Sequence, residues 1–402
     1  MPDMDWVQSN ITLQSRSANP LFVSVSNSGI LDDDFYRYAH DFFDAGEETT
    51  RYLLEVAGFK HDIAKLDTWY FAMIYLYRQS LELLLKACVF HIVSSETDRR
   101  NIIGRVRHDL KRAFDEIRNR ICLDESSGNG QWLSKFLADI SSIDNASDMF
   151  RYPFGNNMEI LFEEQTDVSL IDTYKNMNRA FRTIENIYVM GIIPGNSFDS
   201  AAPKLIVEGG TYYTRSVLGY QYSRHSFYPY FTGYVEVASN LGEIIVAENR
   251  LELFMPMCYV FRNAVELGLK RLIVEDSHLG RDDALKNIRE NKHNVLKLWK
   301  TMKSEISEYA NAPESDTSIT DTEAYINCLH TFDGSSDKFR YPCDKHLNLH
   351  FQTPRKMDVK NIISFFNGLC NFLDGVDGVL GQVREFEAEM RAQYEADLSS
   401  YW

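Results

Sequence analysis

The sequence predicts an all-α protein made of two tandem helical bundles. The main observation is an internal repeat, in which three sequence blocks recur in the same order. Residues 77–86 return as 261–270, 107–114 as 292–299, and 148–153 as 337–342, so the offsets are 184, 185 and 189 residues. A period this long exceeds that of solenoid repeats and indicates two whole domains. The apolar pattern of the segments within each repeat is helical, which gives the all-α class.

Composition places the chain among soluble globular proteins. Its 402 residues are 44% hydrophobic and 13% aromatic, enough for two domains that each bury a core. The 58 acidic and 42 basic side chains give a net charge of −16, which opposes indiscriminate binding to nucleic acid and favours a selected target. The six cysteines include no Cys-x-x-Cys pair, so neither a zinc ribbon nor a disulfide framework is indicated and a reducing cytoplasm is expected. The N-terminus is acidic, without a basic region followed by an apolar run, and no stretch reaches membrane-spanning length, so we expect an unprocessed chain without a membrane partner.

The first repeat, residues 34–191, follows an N-terminal arm of residues 1–33. The arm holds two short apolar runs that suit extended segments, at 11–13 and 21–25. Three aspartates at 32–34 favour a helix start there, since carboxylates stabilise helix N-termini. Helices are predicted near 34–57, 67–93, 104–121, 131–142 and 168–190. The second of these is apolar almost all round, which is typical of a buried central helix.

The second repeat, residues 227–380, follows a connector at 192–226 and repeats this plan. Pro, Gly, Ser and Tyr are frequent in the connector, where short strands are possible at 204–207 and 211–214. Helices are predicted near 228–249, 253–275, 283–309, 321–331 and 358–380. Residues 381–402 are predicted to form a polar helical tail.

Charged residues occur at helical spacing on the apolar central helix of each repeat. They are Arg78, Glu82 and Lys86 in the first repeat, and Arg262, Glu266 and Lys270 in the second. Spacings of four place each set on one helix face, where buried charges must be paired. One interpretation is an internal salt-bridge ladder. The other is that the ladder orients a nearby catalytic arginine or histidine.

A histidine lies at the start of the third predicted helix in each repeat, His108 in the first and His293 in the second. Two roles are possible for these histidines. A histidine at a helix start is often a cap or a satisfied core residue, and its presence in both repeats favours this framework role. Catalysis is the alternative.

The repeats diverge after the shared Phe-Arg-Tyr-Pro block. In the second repeat Arg340 is followed six positions later by His346, whereas in the first repeat Arg151 is followed at that distance by Asn157. An arginine can neutralise a phosphate and a histidine can move a proton near neutral pH. The pair Arg340 and His346 therefore suits phosphodiester cleavage.

These motifs resemble the HEPN superfamily, the "higher eukaryotes and prokaryotes nucleotide-binding" helical domains. The second repeat carries Glu266-x3-Lys270-Arg271 and Arg340-x5-His346. The first repeat matches at Glu82, Lys86 and Arg151, with Ala87 in place of the second basic residue and Asn157 in place of the motif histidine. Tyr152 and Tyr341, each followed by a proline, stand where nucleases of the family often have a polar residue.

The resemblance implies compact bundles that pair two-fold and place the motifs of both partners in a shared cleft. Here one chain would supply both halves as an intramolecular pseudo-dimer, and further oligomerisation is possible. The resemblance also implies a metal-independent endoribonuclease without cofactor, of a superfamily that often acts in bacterial defence or as a toxin. In the expected reaction a ribose 2′-hydroxyl attacks the adjacent phosphate, His346 transfers protons, and Arg340 and Arg151 stabilise the developing charge. Asn157 would hydrogen-bond across the cleft.

Two other functions fit the same residues. A non-catalytic module would use the cleft to bind RNA, a nucleotide or a protein partner such as an inhibitor, with Arg340 paired to Glu266. A regulatory partner of a nucleotidyltransferase or ATPase follows from the habits of the family alone.

Overall fold

The computed structural model describes residues 5–121, 128–155, 159–193, 195, 202–219, 226–310, 313 and 315–400, the last three without their side chains. Within these ranges the chain is mostly helical, with twelve α-helices and four short strands, which confirms the predicted all-α class. None of the described helices combines the length and the apolar composition that crossing a membrane requires. The five described cysteines are free thiols.

The first half begins with a strand and continues with six helices. Its elements are β1 (Phe22–Val25), α1 (Leu31–Tyr52), α2 (Ile63–Ile92), α3 (Glu96–Val106), α4 (Leu110–Arg118), α5 (Gly128–Ile143), β2 (Thr166–Ser169) and α6 (Leu170–Met190). A π-helical turn at Leu53–Ala57 extends α1. The long helix α2 is the central element, and even its charged residues are buried.

The second half repeats this order. Its elements are β3 (Arg215–Leu218), α7 (Tyr228–Glu248), α8 (Phe254–Arg271), α9 (Arg281–Asn291), α10 (Val295–Tyr309), α11 (Ser318–Asp333), β4 (Arg355–Asp358) and α12 (Val359–Ser400). A 3-10 turn at Leu251–Leu253 precedes α8, and a π-helical turn at Leu272–Asp276 follows it. Helix α8 is the counterpart of α2 and is buried along its whole length. The last helix of the second repeat and the predicted tail form one continuous helix, α12.

The helices predicted at 104–121 and 283–309 are each broken in two. The break follows α3 at Arg107, with φ 46° and ψ −104°, and follows α9 at Lys292, with φ 47° and ψ −114°, a conformation that no α-helix contains. Two residues later Asp109 and Asn294 cap the next helix, each accepting a hydrogen bond from the third following backbone N–H. The predictions missed these caps. His108 lies in the break between α3 and α4, and His293 lies in the break between α9 and α10.

The short strands attach the segment that precedes each repeat to the other repeat. Strand β1 in the N-terminal arm pairs antiparallel with β4 of the second repeat, and β3 in the connector pairs antiparallel with β2 of the first repeat. The registers correspond, since Phe22 lies opposite Asp358 just as Arg215 lies opposite Ser169. The extended segment expected at 21–25 is therefore present. The possible strands at 204–207 and 211–214 are not present. The connector pairs instead through a bridge from Glu208 to Val168 and through the strand Arg215–Leu218.

Gly233 lies where α7 crosses α2, and we expect Gly233→Ala to destabilise the protein. A Cβ at this position would lie 2.1 Å from the backbone oxygen of Thr68, and backbone cannot move aside cheaply. The expected loss is about 1–3 kcal/mol, the usual cost of overpacking. Gly378→Ala in α12 is the matched control, because a Cβ there meets nothing within 4 Å and should stabilise the helix slightly. Urea unfolding of both variants measures the difference, and equal stabilities would contradict the packing argument.

Candidate functional site

A buried carboxylate organises the site in the second repeat. Glu266 accepts four side-chain hydrogen bonds, three of them from its own repeat. The donors are Arg262 Nη1 at 2.7 Å, Lys270 Nζ at 2.8 Å, His293 Nδ1 at 3.0 Å and the hydroxyl of Tyr152 at 2.6 Å. The tyrosine comes from the Phe-Arg-Tyr-Pro block of the first repeat, so this cluster needs both repeats.

The first repeat contains the matching cluster around Glu82. Its donors are Arg78 Nη1 at 2.7 Å, Lys86 Nζ at 2.7 Å, His108 Nδ1 at 3.1 Å and the hydroxyl of Tyr341 at 2.5 Å. Here the tyrosine comes from the second repeat. The tyrosine of each Phe-Arg-Tyr-Pro block thus reaches across to the opposite repeat and completes the carboxylate cluster there.

Both glutamates are ionised. Burial alone would raise the pKa of Glu266, but Lys270, His293 and Arg262 outweigh it and hold this pKa well below its usual range. The pKa of Glu82 is lowered in the same way, against burial, by its lysine, histidine and arginine neighbours. A buried carboxylate with this many donors is satisfied electrostatically, so the clusters act as rigid joints between the repeats.

The ionised glutamates fix the tautomers of the two histidines. Because a carboxylate only accepts hydrogen bonds, the Nδ1 of His108 and of His293 must carry a proton. In the neutral ring Nε2 then holds the lone pair, and within the described ranges Nε2 has no hydrogen-bond partner. The side chains are 33% and 36% exposed. Each imidazole is therefore held at one nitrogen and open at the other.

The pKa of each histidine lies below its ordinary value. Glu266 raises the pKa of His293, but burial together with Arg151 and Lys270 outweighs it. Glu82 likewise raises the pKa of His108, and burial with Lys86 and Arg340 outweighs it. Both rings are consequently neutral at neutral pH.

Arg151 is fully engaged by protein groups. Its Nε donates to the backbone oxygen of Ser147 at 2.7 Å, its Nη1 to the hydroxyl of Tyr259 at 3.3 Å, and its Nη2 to Asp148 at 2.6 Å. The Tyr259 ring stacks on Tyr75 of the first repeat with centroids 5.1 Å apart. Arg151 therefore belongs to the framework that joins the repeats as well as to the site.

Arg340, the counterpart of Arg151, is far less engaged. Its Nη1 lies 3.4 Å from the hydroxyl of Tyr75, its Nη2 lies 3.7 Å from Asp337, and its buried Nε has no hydrogen-bond partner among the described groups. The side chain is nonetheless buried, with 8% of it exposed. A buried guanidinium with donors to spare is costly unless another acceptor satisfies it. This asymmetry makes Arg340 the better anchor for an anion.

A cavity of about 410 Å³ spans the two repeats at this point. Its wall holds six cationic side chains, Arg107, Arg151, Lys270, Arg289, Lys292 and Arg340. Both histidines also line it, and Asp148 is the single carboxylate among its described lining residues. Phe154, Phe227 and Ile288 form an apolar part of the wall. This concentration of positive charge stands out in a chain with a net charge of −16.

Five of the twelve predicted site residues line this cavity, namely His108, Arg151, Lys270, His293 and Arg340, but His346 is not among them. His346 lies at the tip of a tight loop closed by a β-bridge between Cys343 and Leu349, and its side chain is exposed. The carboxylate of Asp344 accepts the His346 backbone N–H at 2.8 Å, which stabilises the loop. The predicted partner Asn157 lies outside the described residues.

The pairing of Arg340 with Glu266, considered with the non-catalytic function, does not occur either. Glu266 takes Arg262 as its arginine partner instead. Sequence reasoning also missed the cross-repeat role of Tyr152 and Tyr341 and the cations Arg107 and Lys292. The two cations were detectable as a repeated feature, since each repeat has a basic residue directly before the histidine. The tyrosines are repeated too, but their partners in the opposite repeat have no local signal.

Fold and site together define a helical protein with a basic cavity shared by two internal repeats. No family model, curated protein or solved structure matches the chain. Within the described ranges, no three His, Cys, Asp or Glu side chains come close enough together to hold a metal ion. The chemistry of the site must therefore be argued from its own residues.

Proposed function

We propose that the cavity binds a phosphate-bearing segment of RNA and that the protein cleaves RNA there as a metal-independent endoribonuclease. The observation that carries this proposal is the gathering of six cations and two histidines around one cavity of an acidic protein. The resemblance to the HEPN superfamily supports the choice of RNA. It also suggests a role in bacterial defence or as a toxin-like effector, under the control of a protein partner or inhibitor.

Arg340 is the expected phosphate anchor. Its guanidinium is buried and lines the cavity, and its Nε has no hydrogen-bond partner in the part of the chain that the structure describes. An arginine can donate two parallel hydrogen bonds to a phosphate, and such charge-assisted bonds are strong where water is excluded. A bound phosphate would supply an acceptor for the Nε of Arg340, which has none among the described groups.

The shape of the cavity favours a short single-stranded segment. Its volume falls within the range of small-ligand sites, roughly 300–1,000 Å³, so a duplex would not enter. Phe154 and Phe227 are almost fully buried and contribute an apolar part of the wall. Arg107, Arg289 and Lys292 are exposed and would contact the flanking phosphates.

The proposed reaction is attack of a ribose 2′-hydroxyl on the adjacent phosphorus. Arg340 and Arg151 would stabilise the negative charge that grows on the phosphate oxygens. The reaction needs no metal ion if proton-transfer groups lie beside the phosphate.

A non-catalytic module that binds RNA or a nucleotide is the second candidate. The exposed position of His346, the expected proton-transfer residue, favours this alternative. If the protein is a non-catalytic module, a labelled RNA should bind saturably without being cleaved. Arg340→Gln would weaken that binding.

The test is cleavage of a labelled RNA pool with a randomised central region, carried out in EDTA. We expect cleavage by the wild type and none when every 2′-hydroxyl of the substrate is replaced by hydrogen. Binding of the pool without cleavage would support the second candidate. Cleavage of the 2′-deoxy pool would contradict the proposed attack.

We expect His346→Ala to leave the cleavage rate within about two-fold of wild type. The reason is its place at the tip of the exposed 343–349 loop, away from the cavity wall. Initial rates on the same RNA pool measure this. A large loss, with unchanged thermal stability, would show that the loop reaches the substrate and would restore the role expected from the motif.

A further inference from the structure

We infer that His293 and His108 are the proton-transfer groups of this cavity, each oriented by the buried glutamate of its own repeat and completed by the tyrosine of the other. The inference rests on the proposed function and assigns to these two residues the role that the motif predicts for His346. Three observations support it. The glutamates fix the tautomer of both imidazoles, each imidazole lies beside an arginine of the other repeat, and the backbone before each histidine is strained.

The first observation is the tautomer. Glu266 accepts from the Nδ1 of His293 at 3.0 Å, and Glu82 accepts from the Nδ1 of His108 at 3.1 Å. A carboxylate at Nδ1 orients the ring and raises the basicity of the opposite nitrogen. Nε2 is therefore the nitrogen available for proton transfer, and both rings line the cavity.

The second observation is the crossed placement of histidines and arginines. His293 of the second repeat lies close enough to Arg151 of the first for the arginine to lower its pKa. His108 of the first repeat stands in the same relation to Arg340 of the second. Each half of the cavity thus combines an imidazole from one repeat with a guanidinium from the other, the pair of groups that phosphodiester cleavage requires.

The third observation is the backbone before each histidine. Arg107 and Lys292 both adopt a positive φ near 46° with ψ below −100°, which side-chain-bearing residues rarely adopt. Strain of this kind costs free energy and tends to persist where it serves a functional geometry. It occurs at the same place in both repeats and turns the chain at each histidine.

The proton transfers of this reaction balance when one of the two imidazoles is neutral and the other is protonated. The neutral imidazole takes the 2′-hydroxyl proton at Nε2 while O2′ forms a bond to phosphorus. The bond from phosphorus to O5′ breaks, and the protonated imidazole gives its Nε2 proton to O5′. The products are a 2′,3′-cyclic phosphate and a 5′-hydroxyl, and solvent exchange restores the two protonation states. The negative phosphate favours the one protonated ring that this step requires.

The groups facing each ring determine the pH dependence. His293 faces Glu266, Lys270, Arg151 and Tyr152, and His108 faces a corresponding set, namely Glu82, Lys86, Arg340 and Tyr341. The pKa of Glu266 and of Glu82 is held well below its usual range, and the pKa of each imidazole is lowered from its ordinary value. The two imidazoles are therefore the proton-transfer groups whose titration shapes the pH profile. Wild-type cleavage should therefore follow a bell-shaped pH profile.

The test compares His293→Gly and His108→Gly with wild type on the randomised RNA pool in EDTA. We expect each variant to lose about 10²–10⁴-fold in rate, to lose one limb of the pH profile, and to regain activity when free imidazole is added. His278→Ala, a histidine outside the cavity, is the matched control and should cleave at the wild-type rate. Circular dichroism and thermal unfolding verify that each variant is folded.

The outcomes separate the inference from the function on which it rests. Wild-type cleavage with both glycine variants within three-fold of it would overturn the inference and leave the ribonuclease proposal standing. A loss that imidazole does not rescue, with both limbs of the pH profile retained, would assign the histidines a purely structural role and also overturn it. A wild type that does not cleave would overturn both.

Discussion

Replacing Glu266 with alanine should lower the free energy of unfolding by about 3–5 kcal/mol, the cost of removing one partner from a buried ion pair. Glu266 is completely buried and accepts from Arg262, Lys270, His293 and Tyr152. Without it two cations remain in the interior with no carboxylate between them. The tyrosine from the other repeat also loses its acceptor, so contact between the repeats should loosen. Urea unfolding of the purified variant measures the loss.

The repeat itself supplies the matched comparison. Glu82→Ala removes the equivalent carboxylate from the first repeat and should cost a similar amount, because its four partners correspond one to one. Glu389→Ala on the exposed end of α12 is the control and should change stability by less than about 0.5 kcal/mol. A loss below about 1 kcal/mol for Glu266→Ala would mean that water reaches and solvates the cluster.

Replacing Arg340 with glutamine should reduce RNA cleavage by about 10²–10³-fold, the effect of removing one donor that stabilises a developing negative charge. The same change should leave stability unchanged or raise it. Among the described groups the Nε of Arg340 has no hydrogen-bond partner, and its Nη1 and Nη2 lie 3.4 Å from the Tyr75 hydroxyl and 3.7 Å from Asp337. Residues that serve a ligand often cost stability in its absence. Initial rates on the RNA pool and thermal unfolding give the two measurements.

Two further variants make this prediction specific. Arg151→Gln should lower stability as well as activity, because it removes hydrogen bonds to Ser147, Tyr259 and Asp148. Arg391→Gln on the exposed end of α12 changes the charge equally and should affect neither. Equal cleavage by wild type and Arg340→Gln would remove Arg340 from the site.

The sequence predicts the fold class and the central helices well because their signal is local. The apolar surface of α2 and the spacing of Arg78, Glu82 and Lys86 are visible in a single stretch of chain. The breaks at Arg107 and Lys292 are also local, and the capping residues Asp109 and Asn294 are their signal. The apolar pattern alone does not show these breaks, and it predicts one continuous helix in place of the two helices on either side of each break.

The crossed contacts could not be derived in this way. Nothing near Tyr152 specifies that its hydroxyl reaches Glu266, because the two are 114 residues apart and belong to different repeats. The motif spacing from Arg340 to His346 favours a shared site, but the loop between Cys343 and Leu349 closes on itself and carries the histidine outward. Long-range pairing and loop closure are tertiary effects that overrule a spacing pattern.

The pairing of β1 with β4 has a consequence for synthesis on the ribosome. Phe22 lies opposite Asp358, so 336 residues separate the two partners, whereas Thr166 and Leu218 of the other pair are 52 residues apart. At about 5–20 residues per second, roughly 20–70 s pass between the emergence of the first strand and that of its partner. Throughout that time the backbone N–H and C=O groups of β1 have no partner strand. We expect β1 to be among the last elements to reach its native pairing, because that pairing must wait until β4 has emerged.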